Sequence, residues 1–154
     1  PHFDGAISPR PFPDARGVFA GLTLQQTRAD YFRALLESLA FCLRENLEHL
    51  ENHGLKCDAI RAIGGAAKSD LFLQIQADVT GKTIERPAVT EAAILGAAML
   101  AAYGAGAFPS LAECSRSFYH CARRFEPNAE NRVLYQAPYR HYRDLLQACY
   151  NPPV

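Results

Sequence analysis

Two glycines behind a short apolar run are the residues in this chain whose type and spacing most plainly suggest chemistry. Gly64 and Gly65 close the run AIRAI, Ala66 follows them, and Ser69 stands a few residues further on. Glycine reaches backbone angles closed to other residues, and without a Cβ it lets a ligand approach the main chain. Ser69 stands where a helix N-cap belongs, and Asp70 favours the positive end of the helix dipole. A strand, a glycine turn and a helix start in succession present backbone N–H groups to an anion. The same pattern also builds ordinary turns, so these residues alone leave a plain turn and a phosphate or nucleotide contact both open.

Other combinations point to less. His49 and His53 have the i,i+4 spacing of a metal pair on a helix, but with Glu48 and Glu51 beside them they read as a solvated face. The five cysteines are odd in number and scattered, with no CxxC and no Cys/His cluster at zinc-ligand spacing. They read as reduced, mostly buried thiols of a cytosolic protein. Sixteen basic and sixteen acidic residues cancel, and Arg123–Arg124 is too short for a basic patch, which argues against nucleic acid as a partner. No signal peptide is recognisable. The most apolar run, residues 92–108, is short for a membrane span and built from Ala and Gly, so it suits a close-packed core helix.

The elements that must position the glycine turn follow from periodicity. A chain of 154 residues fits one domain. Residues 1–24 form an irregular lead-in, with four prolines and three glycines in 1–21, ending in a short extended piece near 17–24. Thr27 caps a helix over 28–53, whose apolar stripe runs through Leu35, Leu36, Leu39, Leu43 and Leu47, and Gly54 stops it. Asp30, Glu37 and Arg44 are its polar residues in question, with surface charge as the plain reading. Residues 59–63 read as a short buried strand. A helix from Ser69 to Thr80 buries Leu71, Phe72, Ile75 and Val79 and ends at Gly81. Residues 82–87 form a strand, and Thr90 caps a helix over 91–103. A short helical turn runs over 109–114 and an extended segment over 118–125. Pro127-Asn128 opens a last helical region, which over 131–150 carries a tyrosine-rich stripe including Val133 and Leu134. Strands alternating with helices over 54–106 make an α/β layer structure, helix-rich and with few strands.

Several of these segments, in this order, resemble one family. Gly17-x-Phe19-x-Gly21-Leu22, with Asp30, Ala34 and Glu37, is similar to a signature of the FGGY carbohydrate kinases, from which Tyr31 and Leu35 depart. GGAAKSDLFLQIQADVTGKTIERP resembles the family's adenosine motif, and TEAAILGAAMLAAYGAG its next helix. The resemblance covers nearly the whole chain. It implies the actin-like, ribonuclease H-like ATPase fold of the hexokinase-like superfamily, here as a partial C-terminal, nucleotide-binding domain over 1–154. It also implies phosphate transfer from ATP, with Mg2+, to a hydroxyl of a sugar or polyol, such as a pentulose of the xylulose type. By the same resemblance Gly64 and Gly65 approach the α-phosphate and ribose, Ala66 leaves room beside the adenosine, and Ser69 lies near the adenine.

The family's catalytic aspartate, sugar-binding residues and first phosphate loop lie upstream of these motifs. No residue here is therefore expected to be catalytic or a metal ligand, and the piece alone is expected to be inactive. Two other readings stay open: a relative that binds nucleotide without transferring phosphate, and a structural module whose tyrosine-rich helix makes a homodimer contact.

Overall fold

A computed structural model describes residues 1–150. In chain order the elements are α1 (Arg28–Asn52), β1 (Ala59–Arg61), a 3-10 turn (Gly65–Lys68), α2 (Asp70–Thr80), β2 (Thr83–Pro87), α3 (Ala92–Gly104), α4 (Leu111–Phe118), β3 (Cys121–Phe125), α5 (Ala129–Leu134) and α6 (Gln136–Tyr150). The strands form one sheet in the order β1-β2-β3, with β1 parallel to β2 and β3 antiparallel to it. The expectation of a helix-rich α/β layer structure with few strands is met.

α2 lies at the centre. Residues two apart on a helix point to nearly opposite sides, while residues four apart share one. Ile75 and Val79 accordingly pack against Ala40 and Phe41 of α1 and against Tyr135, Tyr139 and Tyr142 near the C-terminus. Leu73 and Ala77 turn the other way, onto Ile84 of β2 and Phe125 of β3, with Ile60 and Ala62 at the margin. Leu73, not Leu71, is therefore the buried leucine: Leu71 is 55% exposed because the helical layer ends one turn short of it.

Asp78 is buried on α2 and acts structurally. Its carboxylate accepts hydrogen bonds from the Asn128 backbone N–H, Gln74 Nε2 and Asn131 Nδ2, each at 2.8 Å. It thereby anchors the start of α5, where Asn128 Oδ1 caps the helix by accepting from the Asn131 N–H at 3.0 Å. α1 opens with Thr27, whose backbone N–H and hydroxyl both donate to Asp30 at 2.7 Å. Glu37 and Arg44 do more than solvate a surface. Tyr135 donates to Glu37 at 3.1 Å, and Arg44 donates to Gln136 at 3.0 Å while lying 4.0 Å over the Tyr139 ring.

Several local expectations are corrected. The lead-in has isolated bridges, Phe3 with Gly5 and Ala6 with Phe12, but no extended element over 17–24. β1 stops at Arg61, and Ile63 is 54% exposed as the chain turns away from the sheet. The helical turn after Ser110, which caps it by accepting from the Glu113 N–H, runs on to Phe118, and the strand that follows covers 121–125. The final helix breaks at Tyr135, which leaves Val133 and Leu134 in solvent. The buried tyrosines of that region pack inside this chain's own core. Of the thiols only Cys114 is buried; Cys42 and Cys57 are half-buried, and Cys121 and Cys149 are exposed.

The largest departure is α3. Glu91, not Thr90, is its N-cap, and none of its residues is buried. Ile94 and Leu100 stand in solvent, and among the described residues α4 is the helix that packs on it. Its composition suits a core, yet among the described residues no second layer covers it. Among the described residues no helix is long and apolar enough to cross a membrane.

The two-sided burial of α2 is open to measurement. Leu73→Ala should cost about 2–5 kcal/mol in urea unfolding, whereas Leu71→Ala should stay within about 0.5 kcal/mol. Equal losses at the two positions would contradict this packing.

Candidate functional site

The glycine turn sits between β1 and α2, at the end of the sheet. Gly64 has φ 77° and ψ −167°, a region in which only glycine is at ease. That conformation turns the chain off β1 while the Gly64 N–H donates to the Thr90 carbonyl at 2.9 Å, tying the turn to the approach of α3. Gly65 then starts the 3-10 turn at negative φ, and a Cβ built on it meets no atom within 4 Å. Among the described residues, the backbone N–H groups of Gly65 and Ala66 have no protein acceptor. Ala67 is buried and seats the turn, while Gly65, Ala66 and Ser69 face solvent. The four residues singled out from sequence, Gly64, Gly65, Ala66 and Ser69, thus lie on one continuous open turn.

Ser69 caps α2 as its type predicts, its hydroxyl oxygen accepting from the Phe72 N–H at 3.3 Å. Gly81 ends the same helix in the left-handed conformation at φ 68°. The turn is held from the far side by residues that local sequence patterns miss. The antiparallel register sets Arg86 opposite Arg123, on the sheet face that α2 covers. Arg86 donates to the Ala67 carbonyl at 3.4 Å and to Asp70 Oδ1 at 2.6 Å, and Arg123 donates to Asp70 Oδ2. Both guanidinium groups lie against the Phe125 ring, at 5.6 and 4.8 Å. The Arg86 hydrogen bond first, with the charges of both arginines, holds the Asp70 carboxyl below the usual carboxylate range. Asp70 therefore does more than complement a helix dipole: it fastens the turn to the sheet. No spacing joins residues 70, 86 and 123 in the sequence, and only the strand register reveals the set.

The opposite sheet face carries a second charged row. The register aligns Arg61, Glu85 and Arg124. Arg124 pairs with Glu85 at 3.0 Å and Arg61 approaches it at 3.8 Å while stacking 3.7 Å over the Tyr119 ring. The Tyr119 hydroxyl donates to Glu85. Burial, reinforced by that carboxylate, pushes Tyr119 up to about 12. Among the described residues no three His, Cys, Asp or Glu side chains converge as a metal set, and the His49 and His53 rings lie 4.6 Å apart on an exposed helix face.

Comparison with known proteins bears on this geometry. The profile described as the FGGY family of carbohydrate kinases, C-terminal domain, matches residues 1–105. A xylulose kinase of Staphylococcus epidermidis is 37% identical over 142 residues, covering 92% of this chain and 29% of its own. The ligand-bound xylulose kinase of Lactobacillus acidophilus superposes with a TM-score of 0.84 at 29% identity, over 97% of this chain and 31% of that one. The glycerol kinase of Plasmodium falciparum with ADP gives a TM-score of 0.76 at 27% identity, over 93% and 29% of the two chains. The chain thus spans just under a third of the length of the relatives it matches.

The two glycines should separate by substitution. Gly64→Ala should lower stability by about 1–3 kcal/mol because of its backbone angles, while Gly65→Ala should leave it nearly unchanged. Thermal unfolding of both variants tests this, and a tolerated Gly64→Ala would contradict the turn conformation.

Proposed function

Because the chain belongs to the FGGY family of carbohydrate kinases, we propose that it is the nucleotide-holding part of an enzyme that moves the γ-phosphate of ATP to a sugar or polyol hydroxyl. The observation that carries this is the open turn at residues 64–69. It has two unpaired N–H groups and free space at Gly65, inside the segment that matches the family. Gly65 and Ala66 would donate to nucleotide phosphate oxygens, the absent Cβ of Gly65 admits the ribose, and Ser69 borders the adenine while capping α2. Arg86 and Asp70 keep that surface in place. The glycerol kinase solved with ADP supports a nucleotide ligand. Likeness to xylulose kinases favours a pentulose as acceptor, handled in the cytoplasm.

The reaction is an in-line displacement. The sugar hydroxyl oxygen bonds to the γ-phosphorus as the bond to the β,γ-bridging oxygen breaks, and the hydroxyl proton passes to a base. Positioning and charge neutralisation supply most of the acceleration. Mg2+, which the family resemblance implies, would contribute neutralisation beside the nucleotide phosphates. The base and the sugar pocket are assigned to the rest of a longer kinase chain. The exposed apolar surface of α3 and the edge position of β1 are where further protein would pack.

Kinetics of the full-length kinase test the assignment. Gly65→Val should raise the KM for ATP at least tenfold while the KM for the sugar and the melting temperature hold, because the fold has room for the side chain. An unchanged KM for ATP in the folded variant would overturn it. The 154-residue chain alone should release no ADP from ATP with any sugar present, and measurable turnover would refute the placement of the base elsewhere.

A further inference from the structure

A second concave site lies far from the glycine turn in its makeup, sharing none of its elements. The lead-in loop folds over α1 and α6 and borders an open cavity of about 360 Å³, within the size range of small-molecule sites. Three arginines line it: Arg10 from the loop, and Arg140 and Arg143 from α6. Elsewhere in the chain Arg33, Arg44, Arg86, Arg123 and Arg124 are each spent on a carboxylate within 4 Å. The three in the cavity make no hydrogen bond and no such ion pair among the described residues. Two carboxylates, Glu45 on α1 and Asp144 on α6, share the lining.

The cavity is preformed. The loop that carries Arg10 is closed by reciprocal backbone hydrogen bonds between Ala6 and Phe12, at 2.9 and 2.8 Å. Phe12 stacks on Tyr150 at 5.7 Å, the Tyr150 hydroxyl donates to the Arg16 carbonyl, and Ser8 donates to Asn46 of α1. Glu45 is half-buried, and burial pushes its carboxyl above its usual range, with Arg10 and Arg143 pulling it back.

We propose that this cavity binds a phosphorylated polyol, its phosphate held by Arg10, Arg140 and Arg143 and its hydroxyls by Glu45 and Asp144. Guanidinium forks match phosphate oxygens, and three of them lining one cavity from two elements suit a dianionic group. A bare anion would leave the two carboxylates facing it unfavourably. Hydroxyl groups on the same ligand donate to those carboxylates and remove the conflict. The inference does not rest on the kinase assignment, since no residue of the glycine turn takes part.

Calorimetric titration of the full-length protein with ribose 5-phosphate, inorganic phosphate and ribose tests it. Ribose 5-phosphate should bind, with both other probes at least tenfold weaker. Arg140→Ala with Arg143→Ala should weaken it at least tenfold, Arg140→Lys with Arg143→Lys should restore part of the loss, and ADP affinity should hold throughout. Arg10→Ala, on the loop, should weaken it independently should the α6 variant fail to fold. No binding of ribose 5-phosphate, or binding insensitive to the alanine variants, overturns the site. Inorganic phosphate or ribose binding as tightly as the sugar phosphate overturns its polyol or its phosphate half. Loss of ADP binding with ribose 5-phosphate retained counts against the kinase assignment alone.

Discussion

The arrangement depends on α2 being buried from two sides at once. Its eleven residues place Ile75 and Val79 under the helical layer and Leu73 and Ala77 over the sheet. At about 1.5–3 kcal/mol for each fully buried large aliphatic side chain, this helix joins what would otherwise be two small cores. Its position then fixes both of its ends. Asp78, in the last turn, anchors α5, and Ser69, at the first, fixes where the glycine turn must finish.

The strand register distributes charge around that centre. Ile84 and Phe125 are aligned across β2 and β3 and face α2. One position along, Arg61, Glu85 and Arg124 line up on the other face. One further, Arg86 and Arg123 return to the α2 side where the apolar contact has ended, and there they meet Asp70. Alternation along a strand thus gives one face an apolar middle and a charged end. The charged end is what steadies the turn.

What was legible in the sequence follows the same division. Caps and stops depend on one residue and its near neighbours, so Ser69, Gly81 and the glycine turn were readable in place. The Asp70, Arg86 and Arg123 set depends on a register between strands more than thirty residues apart in the chain, and no local pattern encodes it. Leu71 and Leu73 could not be ranked by helical period alone, because α2 buries two faces rather than one stripe. α3 failed for another reason: its alanine-rich, apolar composition does call for close packing, but among the described residues α4 is the helix that provides it.

Adjacent glycines in the turn answer two separate demands. Gly64 is required by its own backbone angles, with open space where a side chain would stand. Gly65 has ordinary angles and equally open space, so the fold gives no reason for it to be glycine. A residue without a folding reason, next to N–H groups without protein acceptors, is what the proposed nucleotide contact would explain. That asymmetry between the two glycines could not be read from the Gly-Gly pair itself. It rests on the Thr90 carbonyl engaging Gly64 and leaving the next two amides open.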